Sequence, residues 1–105
     1  MSLEQLLGRK ILVLDGAMGT QLLARGAKGC LELLNVERRE EIEAIHEAYL
    51  NAGADIITTN TTCADALCLE QYGLQERSYE LARAGAEVAR VAADKYASTD
   101  HPRLV

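Results

Sequence analysis

Apolar residues along the chain form both short continuous runs and helical stripes. Residues 11–14 are four apolar positions in a row, and residues 55–59 are rich in β-branched side chains. Both patterns favour buried strands. Between them, residues 38–51 place Ile42 and Ile45 on one face of a helix, whose first turns carry several glutamates. The pattern therefore predicts a strand, a helix and a second strand, in that order.

Helical periodicity dominates the rest of the chain. An Ala-rich stretch with Leu81 and Val88 on one face predicts a long helix over residues 75–96. Residues 27–36 show no clear period and are expected to be irregular. Shorter helices are predicted at residues 2–8, 17–25 and 63–71, and residues 103–105 are expected to begin a third strand.

This alternation of strands and helices is typical of an α/β fold with a parallel sheet. Two strands and the start of a third leave a long open sheet edge, which a finished domain normally covers. We therefore expect residues 1–105 to be one incomplete domain, the N-terminal segment of a larger α/β structure. An alternative is a truncated interaction module that pairs with another chain, or associates with itself, through the open edge.

The composition and charge of the chain limit the classes of protein to which it can belong. The 105 residues suit one small domain, and 16 acidic against 11 basic residues give a formal net charge of -5. That sign disfavours nucleic acid and anionic membranes as partners. No targeting signal or membrane segment is apparent. The three cysteines are irregularly spaced, so neither a disulfide framework nor a structural zinc site is expected, and the expected location is cytoplasmic.

Polar residues follow both predicted strands. Asp15 and Gly16 come directly after the first, and Thr59, Asn60 and Thr61 close the second. The carboxyl ends of parallel strands share one edge, where ligands bind, so we expect Asp15 and Asn60 to lie there, both accessible to solvent. A carboxylate can accept hydrogen bonds from an ammonium group, and hydroxyls and an amide can orient a polar tail. Gly16 would let the backbone approach a ligand closely.

Structural roles remain open for the same residues. Asp15 could cap the following helix or start a hairpin, and residues 58–62 could be ordinary strand and turn residues. His46 stands alone in an amphipathic helix and is expected to be structural. Cys63 and Cys68 are five positions apart on a predicted helix and share a face poorly, so they are not expected to bind a metal.

Two motifs carry a resemblance to a known family. They are residues 11–23, Ile-Leu-Val-Leu-Asp-Gly-Ala-Met-Gly-Thr-Gln-Leu-Leu, and residues 44–61, Ala-Ile-His-Glu-Ala-Tyr-Leu-Asn-Ala-Gly-Ala-Asp-Ile-Ile-Thr-Thr-Asn-Thr. Over essentially its whole length the chain resembles the homocysteine S-methyltransferase family. Within it, the chain is most similar to the N-terminal homocysteine-binding domain of cobalamin-dependent methionine synthases. It departs from the family's usual Asn, Glu and Phe at Leu31, Thr58 and Thr62.

The resemblance implies a TIM-type (β/α)8 barrel, of which this chain would supply the first two strands and the start of the third. It implies an S-methyltransferase that methylates the thiolate of homocysteine to give methionine. The thiolate would be held on zinc by three cysteines beyond residue 105, so this chain itself would hold no metal.

The resemblance does not decide whether the methyl donor is methylcobalamin, betaine or S-methylmethionine. It implies that cobalamin and folate are bound by other domains. The resemblance places Asp15 and Gly16 near the homocysteine amino group, and Thr59, Asn60 and Thr61 in the same site. The isolated chain is expected to be inactive.

Overall fold

The structure is a computed structural model that describes residues 2–105, most of which are helical or in turns. Within these residues, no helix combines the length and the apolar character needed to cross a membrane. The α-helices are α1 (Leu3–Leu7), α2 (Gly19–Ala24), α3 (Leu34–Glu37), α4 (Arg39–Asn51), α5 (Ala66–Leu69) and α6 (Ser78–Tyr96), and short 3-10 helices span Leu31–Leu33, Glu70–Tyr72 and Gln75–Arg77.

Residues of α4 and α6 pack together in two of the three buried apolar clusters found among residues 2–105. Ile42 and Ile45 of α4 lie with Val88 of α6 in one buried cluster. Leu50 lies with Ile57 and three fully buried alanines of α6 in a second cluster. Because alanine side chains are small, α6 can approach both α4 and the segment around Ile57 closely.

None of residues 2–105 forms a β-strand, although three segments run side by side in parallel. Leu14 forms a single bridge with Ile56, and Ile56 forms a single bridge with Leu104. The expected fold class is therefore wrong: residues 2–105 do not form the first two strands and the start of a third strand of a TIM-type (β/α)8 barrel.

Two aspartates end the pairing of the first two segments after one bridge. In a longer parallel ladder, the N–H groups of Thr58 and Val13 would each donate to a backbone carbonyl of the neighbouring segment. Instead the Thr58 N–H donates to the Asp15 carboxylate at 2.9 Å. The Val13 N–H donates to the Asp55 carboxylate, also at 2.9 Å. Side-chain acceptors thus replace the backbone acceptors that a strand would use.

Residues 11–14 are mostly exposed, whereas the continuous apolar run favoured burial on both faces. Ile11 is 88% exposed and Leu14 is 62% exposed. Backbone hydrogen bonds join this segment to residues 55 and 56 on one side. Within the described part of the chain, none joins its other side to a neighbour.

The helix predictions succeed where the apolar stripe is long. The helix at residues 38–51 is confirmed as α4, and that at residues 75–96 is confirmed as α6 with a 3-10 helix before it. The helix predicted at residues 63–71 is α-helical only over α5. The Asp65 side chain caps α5 by accepting the Cys68 N–H at 2.8 Å, so the helix begins later than expected.

A buried carboxylate connects residues near both termini. Asp55 accepts hydrogen bonds from Lys10 Nζ and His101 Nε2, each at 2.8 Å. Arg103 donates to His101 Nδ1 at 2.9 Å, so Nε2 carries the proton that Asp55 accepts. Burial raises the pKa of Asp55, but the hydrogen bonds from Lys10, the Val13 N–H and His101, with the Lys10 charge, outweigh it and lower the pKa to about 2.

Candidate functional site

A cavity of about 570 Å³ opens where the segments 11–14 and 55–59 end. Four of the five predicted site residues line it, namely Asp15, Gly16, Thr59 and Asn60, whereas Thr61 is not among its lining residues. Its wall also includes Glu32, Thr58, Cys63, Cys68, Gln71 and Tyr72.

Asp15 is half-buried in the cavity wall and is oriented by Thr58. One carboxylate oxygen accepts the Thr58 backbone N–H at 2.9 Å, and the other accepts the Thr58 hydroxyl at 3.0 Å. Carboxylate oxygens can each accept a further hydrogen bond. Among residues 2–105 no Lys, Arg or His forms an ion pair with Asp15. The carboxylate is therefore held by uncharged donors and keeps the capacity to accept from a ligand.

Gly16 lies against the ring of Tyr49 from α4. A Cβ at Gly16 would be 3.0 Å from both Cε1 and Oη of Tyr49. The Tyr49 hydroxyl donates to the Ala17 carbonyl at 2.7 Å, which fixes the ring in that place. The absence of a side chain at position 16 is thus explained by packing against Tyr49.

Asn60 is buried, so its expected accessibility to solvent is wrong: only 6% of it is exposed. Its Nδ2 donates to the Leu31 carbonyl at 2.9 Å and to Asn35 Oδ1 at 3.0 Å, which uses both amide hydrogens. Asn35 Nδ2 donates in return to the Asn60 carbonyl at 2.8 Å and to the Leu81 carbonyl at 3.1 Å. This pair of amides joins the cavity wall to α3 and α6.

Thr59 and Thr61 are half-buried and their hydroxyls pair with each other. The two Oγ1 atoms are 2.6 Å apart. Since one hydroxyl donates to the other, the pair keeps one proton for a further acceptor.

Glu32 lies outside the predicted set and is the second carboxylate of the cavity. It is only 6% exposed. Its Oε2 accepts the Cys63 N–H at 3.1 Å, and the Cys30 thiol donates to its Oε1 at 3.7 Å. A single glutamate inside the otherwise apolar run of residues 30–34 is the sequence signal for it, because charged residues are seldom buried without a partner or a role.

Cys63 and Cys68 form a disulfide in the cavity wall, with their Cα atoms 5.3 Å apart. The expectation from cysteine spacing that no disulfide forms is wrong. The helix begins only at Ala66, so Cys63 lies in the preceding turn, where its sulfur can reach that of Cys68. Gln71 Nε2 donates to Cys68 Sγ at 3.7 Å.

The cavity is acidic. Asp15 and Glu32 line it, and no lining residue in the described part of the chain is Lys, Arg or His. A wall of this sign attracts a cationic group such as an ammonium. Within residues 2–105 no group of three or more His, Cys, Asp or Glu side chains could hold a metal ion. The two cysteines that line the cavity are bonded to each other, so these residues do not fit a zinc site.

His46 is fully buried in α4, as expected for a structural histidine. Within the described residues neither of its ring nitrogens has a hydrogen-bond partner. Burial lowers the pKa of His46, and the charge of Asp15 opposes that effect in part. The imidazole is therefore neutral near pH 7.

Comparisons with known proteins agree with the motif resemblance. The family model for homocysteine S-methyltransferases matches residues 12–105. A methionine synthase from Mycobacterium tuberculosis is 40% identical over 111 aligned positions, which cover 98% of this chain and 9% of that protein. A methionine synthase from Mycobacterium leprae is 38% identical with the same coverage.

Solved structures of one enzyme are also similar. The homocysteine methyltransferase MmuM from Escherichia coli, in its oxidised form, is 37% identical with a TM-score of 0.77, covering 90% of this chain and 34% of that one. Its metallated form gives 35% identity and a TM-score of 0.76. The chain thus spans about a tenth of the methionine synthases and a third of the E. coli enzyme. Since the family model covers nearly all of it, the chain belongs to the homocysteine S-methyltransferase family.

Proposed function

We propose that this chain binds homocysteine in the cavity beside Asp15, as part of an enzyme that methylates the homocysteine thiolate to give methionine. The observation that carries the proposal is the charge of the cavity, whose lining has two carboxylates and, among the described residues, no basic side chain. An amino acid entering with its ammonium group toward that wall meets favourable charge. Membership of the family supports homocysteine as that amino acid.

Asp15 is the proposed acceptor for the homocysteine ammonium group. The two hydrogen bonds from Thr58 orient its carboxylate before a ligand arrives. This preorganisation lowers the entropic cost of binding. A charge-assisted hydrogen bond of this kind contributes roughly 1.5–3 kcal/mol.

The substrate carboxylate is proposed to lie toward the Thr59 end of the cavity. The Thr59 and Thr61 hydroxyls have one uncommitted proton between them, which can be donated to a carboxylate. Asn60 acts by holding this segment in place, since both of its amide hydrogens are already used. Gly16 contributes backbone beside Asp15.

Zinc and cobalamin belong to the proposed whole enzyme rather than to the site described here. When bound, zinc lowers the pKa of a thiol and so supplies a nucleophile at neutral pH. Because residues 2–105 do not fit a zinc site, its ligands would have to come from other residues.

The whole enzyme is proposed to be a cytoplasmic methionine synthase, and the methyl donor stays open. Residues 1–105 are proposed to be one part of its homocysteine-binding domain, inactive in methyl transfer when isolated. Cobalamin and folate would then be bound by domains other than this one.

Binding is tested by calorimetric titration of the 105-residue chain with homoserine, which keeps the amino-acid group of homocysteine but has no thiol. The same chain with Cys63→Ser and Cys68→Ser is titrated with homocysteine itself. We expect homoserine to bind the first protein and homocysteine to bind the second. The Asp15→Asn substitution should weaken binding in either case about ten- to a hundredfold. The matched control is 4-mercaptobutanoate, which lacks the ammonium group, so Asp15→Asn should not weaken its binding. Equal homocysteine affinity with Asp and Asn at position 15 would disprove the role of Asp15.

A second candidate function rests on the exposed apolar segment. Ile11, Val13 and Leu14 are each more than half exposed, which is unusual for three neighbouring apolar residues in a monomer. We propose that this segment lets the chain associate with a further polypeptide or with a second copy of itself.

A further inference from the structure

The Cys63–Cys68 disulfide faces the same cavity as Asp15. Both cysteines are half-buried and both line the cavity, so their sulfurs lie in the wall of the proposed homocysteine site. A disulfide in such a place is chemically significant because the proposed ligand is itself a thiol. Thiolates react with disulfides wherever they can reach a sulfur atom.

We propose that the Cys63–Cys68 disulfide undergoes thiol–disulfide exchange with homocysteine bound in this cavity, leaving homocysteine covalently attached to Cys63. The inference rests on the proposed function, since it needs the substrate to be held beside Asp15. It makes the disulfide a modification site that is specific for an amino-acid thiol.

The exchange balances without an added oxidant. The homocysteine thiol first gives its proton to solvent. Its thiolate then attacks Cys63 Sγ, a new sulfur–sulfur bond forms, and the bond between the two cysteines breaks. The electron pair of that bond leaves on Cys68 Sγ as a thiolate, which water can protonate. The disulfide is the oxidant, and one disulfide is exchanged for another.

The surroundings of the two sulfurs differ, and that difference selects the leaving group. On the Cys68 side, Gln71 Nε2 donates to Sγ at 3.7 Å and would stabilise negative charge there. On the Cys63 side, the Glu32 carboxylate accepts the backbone N–H at 3.1 Å, so its negative charge disfavours a thiolate at Cys63. The better leaving thiol is therefore Cys68, and the sulfur attacked is that of Cys63.

The product would block the site and release a constraint. Homocysteine attached to Cys63 occupies the cavity until another thiol removes it. At the same time the bond that connects residue 63 to α5 is lost. In a reducing cytosol disulfides are usually transient or redox-sensing, so exchange would relate occupancy of the site to the thiol redox state of the cell.

The test is exchange kinetics on the oxidised 105-residue chain. Free thiols are alkylated at each time point, and peptide mass spectrometry locates homocysteine and the alkyl group. We expect homocysteine on Cys63, the alkyl group on Cys68, and a rate that saturates with homocysteine concentration. At equal thiolate concentration, 4-mercaptobutanoate should react at least about tenfold more slowly than homocysteine, because it lacks the ammonium group that donates hydrogen bonds to Asp15. Homoserine should slow the homocysteine reaction, and Asp15→Asn should abolish the preference for homocysteine.

Three outcomes would overturn the proposal. One is a homocysteine rate that stays linear in concentration and equals that of 4-mercaptobutanoate. The second is homocysteine on Cys68 or on the buried Cys30. The third is failure of homoserine to slow exchange although homoserine binds. Homoserine binding to the wild-type chain is measured separately. If homoserine binds and any of these three results is obtained, only the exchange is refuted. If homoserine does not bind, the proposed function is refuted as well.

Discussion

The Asp15 carboxylate accepts two hydrogen bonds from Thr58, one from the backbone N–H and one from the side-chain hydroxyl. The two residues are 43 positions apart, so this contact connects the segment after residue 14 to the segment after residue 57. The same contact ends the parallel pairing of the segments and orients the carboxylate that lines the cavity. One interaction therefore both limits the local structure and builds the candidate site.

Thr58→Val is expected to weaken homocysteine binding severalfold while the chain stays folded. Valine has nearly the shape of threonine but removes the hydroxyl donor to Asp15, and one such hydrogen bond contributes about 1 kcal/mol. The backbone donor remains. Calorimetric titration in the Cys63→Ser and Cys68→Ser background measures the effect, with Thr58→Ser as the matched control that keeps the hydroxyl. Wild-type affinity in the valine variant would show that the hydroxyl does not orient Asp15.

The sequence predicts which polar residues meet, but not how they are used. Proximity of Asp15 to Thr59 and Asn60 follows from their common position after two parallel segments. The burial of Asn60 does not follow, because it depends on Asn35 and on the carbonyls of Leu31 and Leu81, which lie far away in the chain. Long-range amide pairs of this kind leave no periodic signal.

The strand predictions were wrong for a related reason, since contacts between residues far apart in the chain again decide the local structure. The continuous apolar run at residues 11–14 and the β-branched residues at 55–59 predict strands, because such patterns are typical of strands buried in a parallel sheet. Asp15 and Asp55 instead bind the N–H groups of Thr58 and Val13, which a longer ladder would have used. Helix prediction succeeded for α4 and α6 because their apolar stripes are packed together over many turns.

Gly85→Ala is expected to lower the free energy of unfolding by about 1–3 kcal/mol, the usual cost of overpacking. A Cβ there would lie 2.8 Å from Asn35 Nδ2 and 2.8 Å from Thr61 Cγ2, although alanine is otherwise the better helix former. Urea unfolding measures the change. Gly8→Ala is the control, since its Cβ would meet nothing closer than 3.5 Å. If the Gly85→Ala variant were as stable as the wild type, the Asn35–Asn60 pair would have shifted to accommodate the added methyl group without any loss in the free energy of unfolding.

Acid should remove the stabilisation that Asp55 provides. Its pKa is lowered from 3.8 to about 2 in the folded chain, so the ionised form is favoured by folding. That contribution is fully present above the unfolded value of 3.8 and is lost as pH falls through about 2. Urea unfolding at several pH values across this window checks it. Asp55→Asn should be less stable near neutral pH and should lose less stability on acidification; an identical pH profile in both proteins would contradict the assignment.

Ile11→Lys is expected to reduce self-association of the chain at micromolar concentration. Ile11 is 88% exposed, and Val13 and Leu14 beside it are also more than half exposed, so association can remove a continuous apolar surface from water. Sedimentation velocity measures the fraction of dimers and larger species. Leu67→Lys is the matched control because Leu67 is 84% exposed but lies on α5, away from this segment. If the two substitutions reduced association equally, general hydrophobicity rather than residues 11–14 would be the cause. A wild-type chain that sediments as a single monomeric species would contradict the prediction directly.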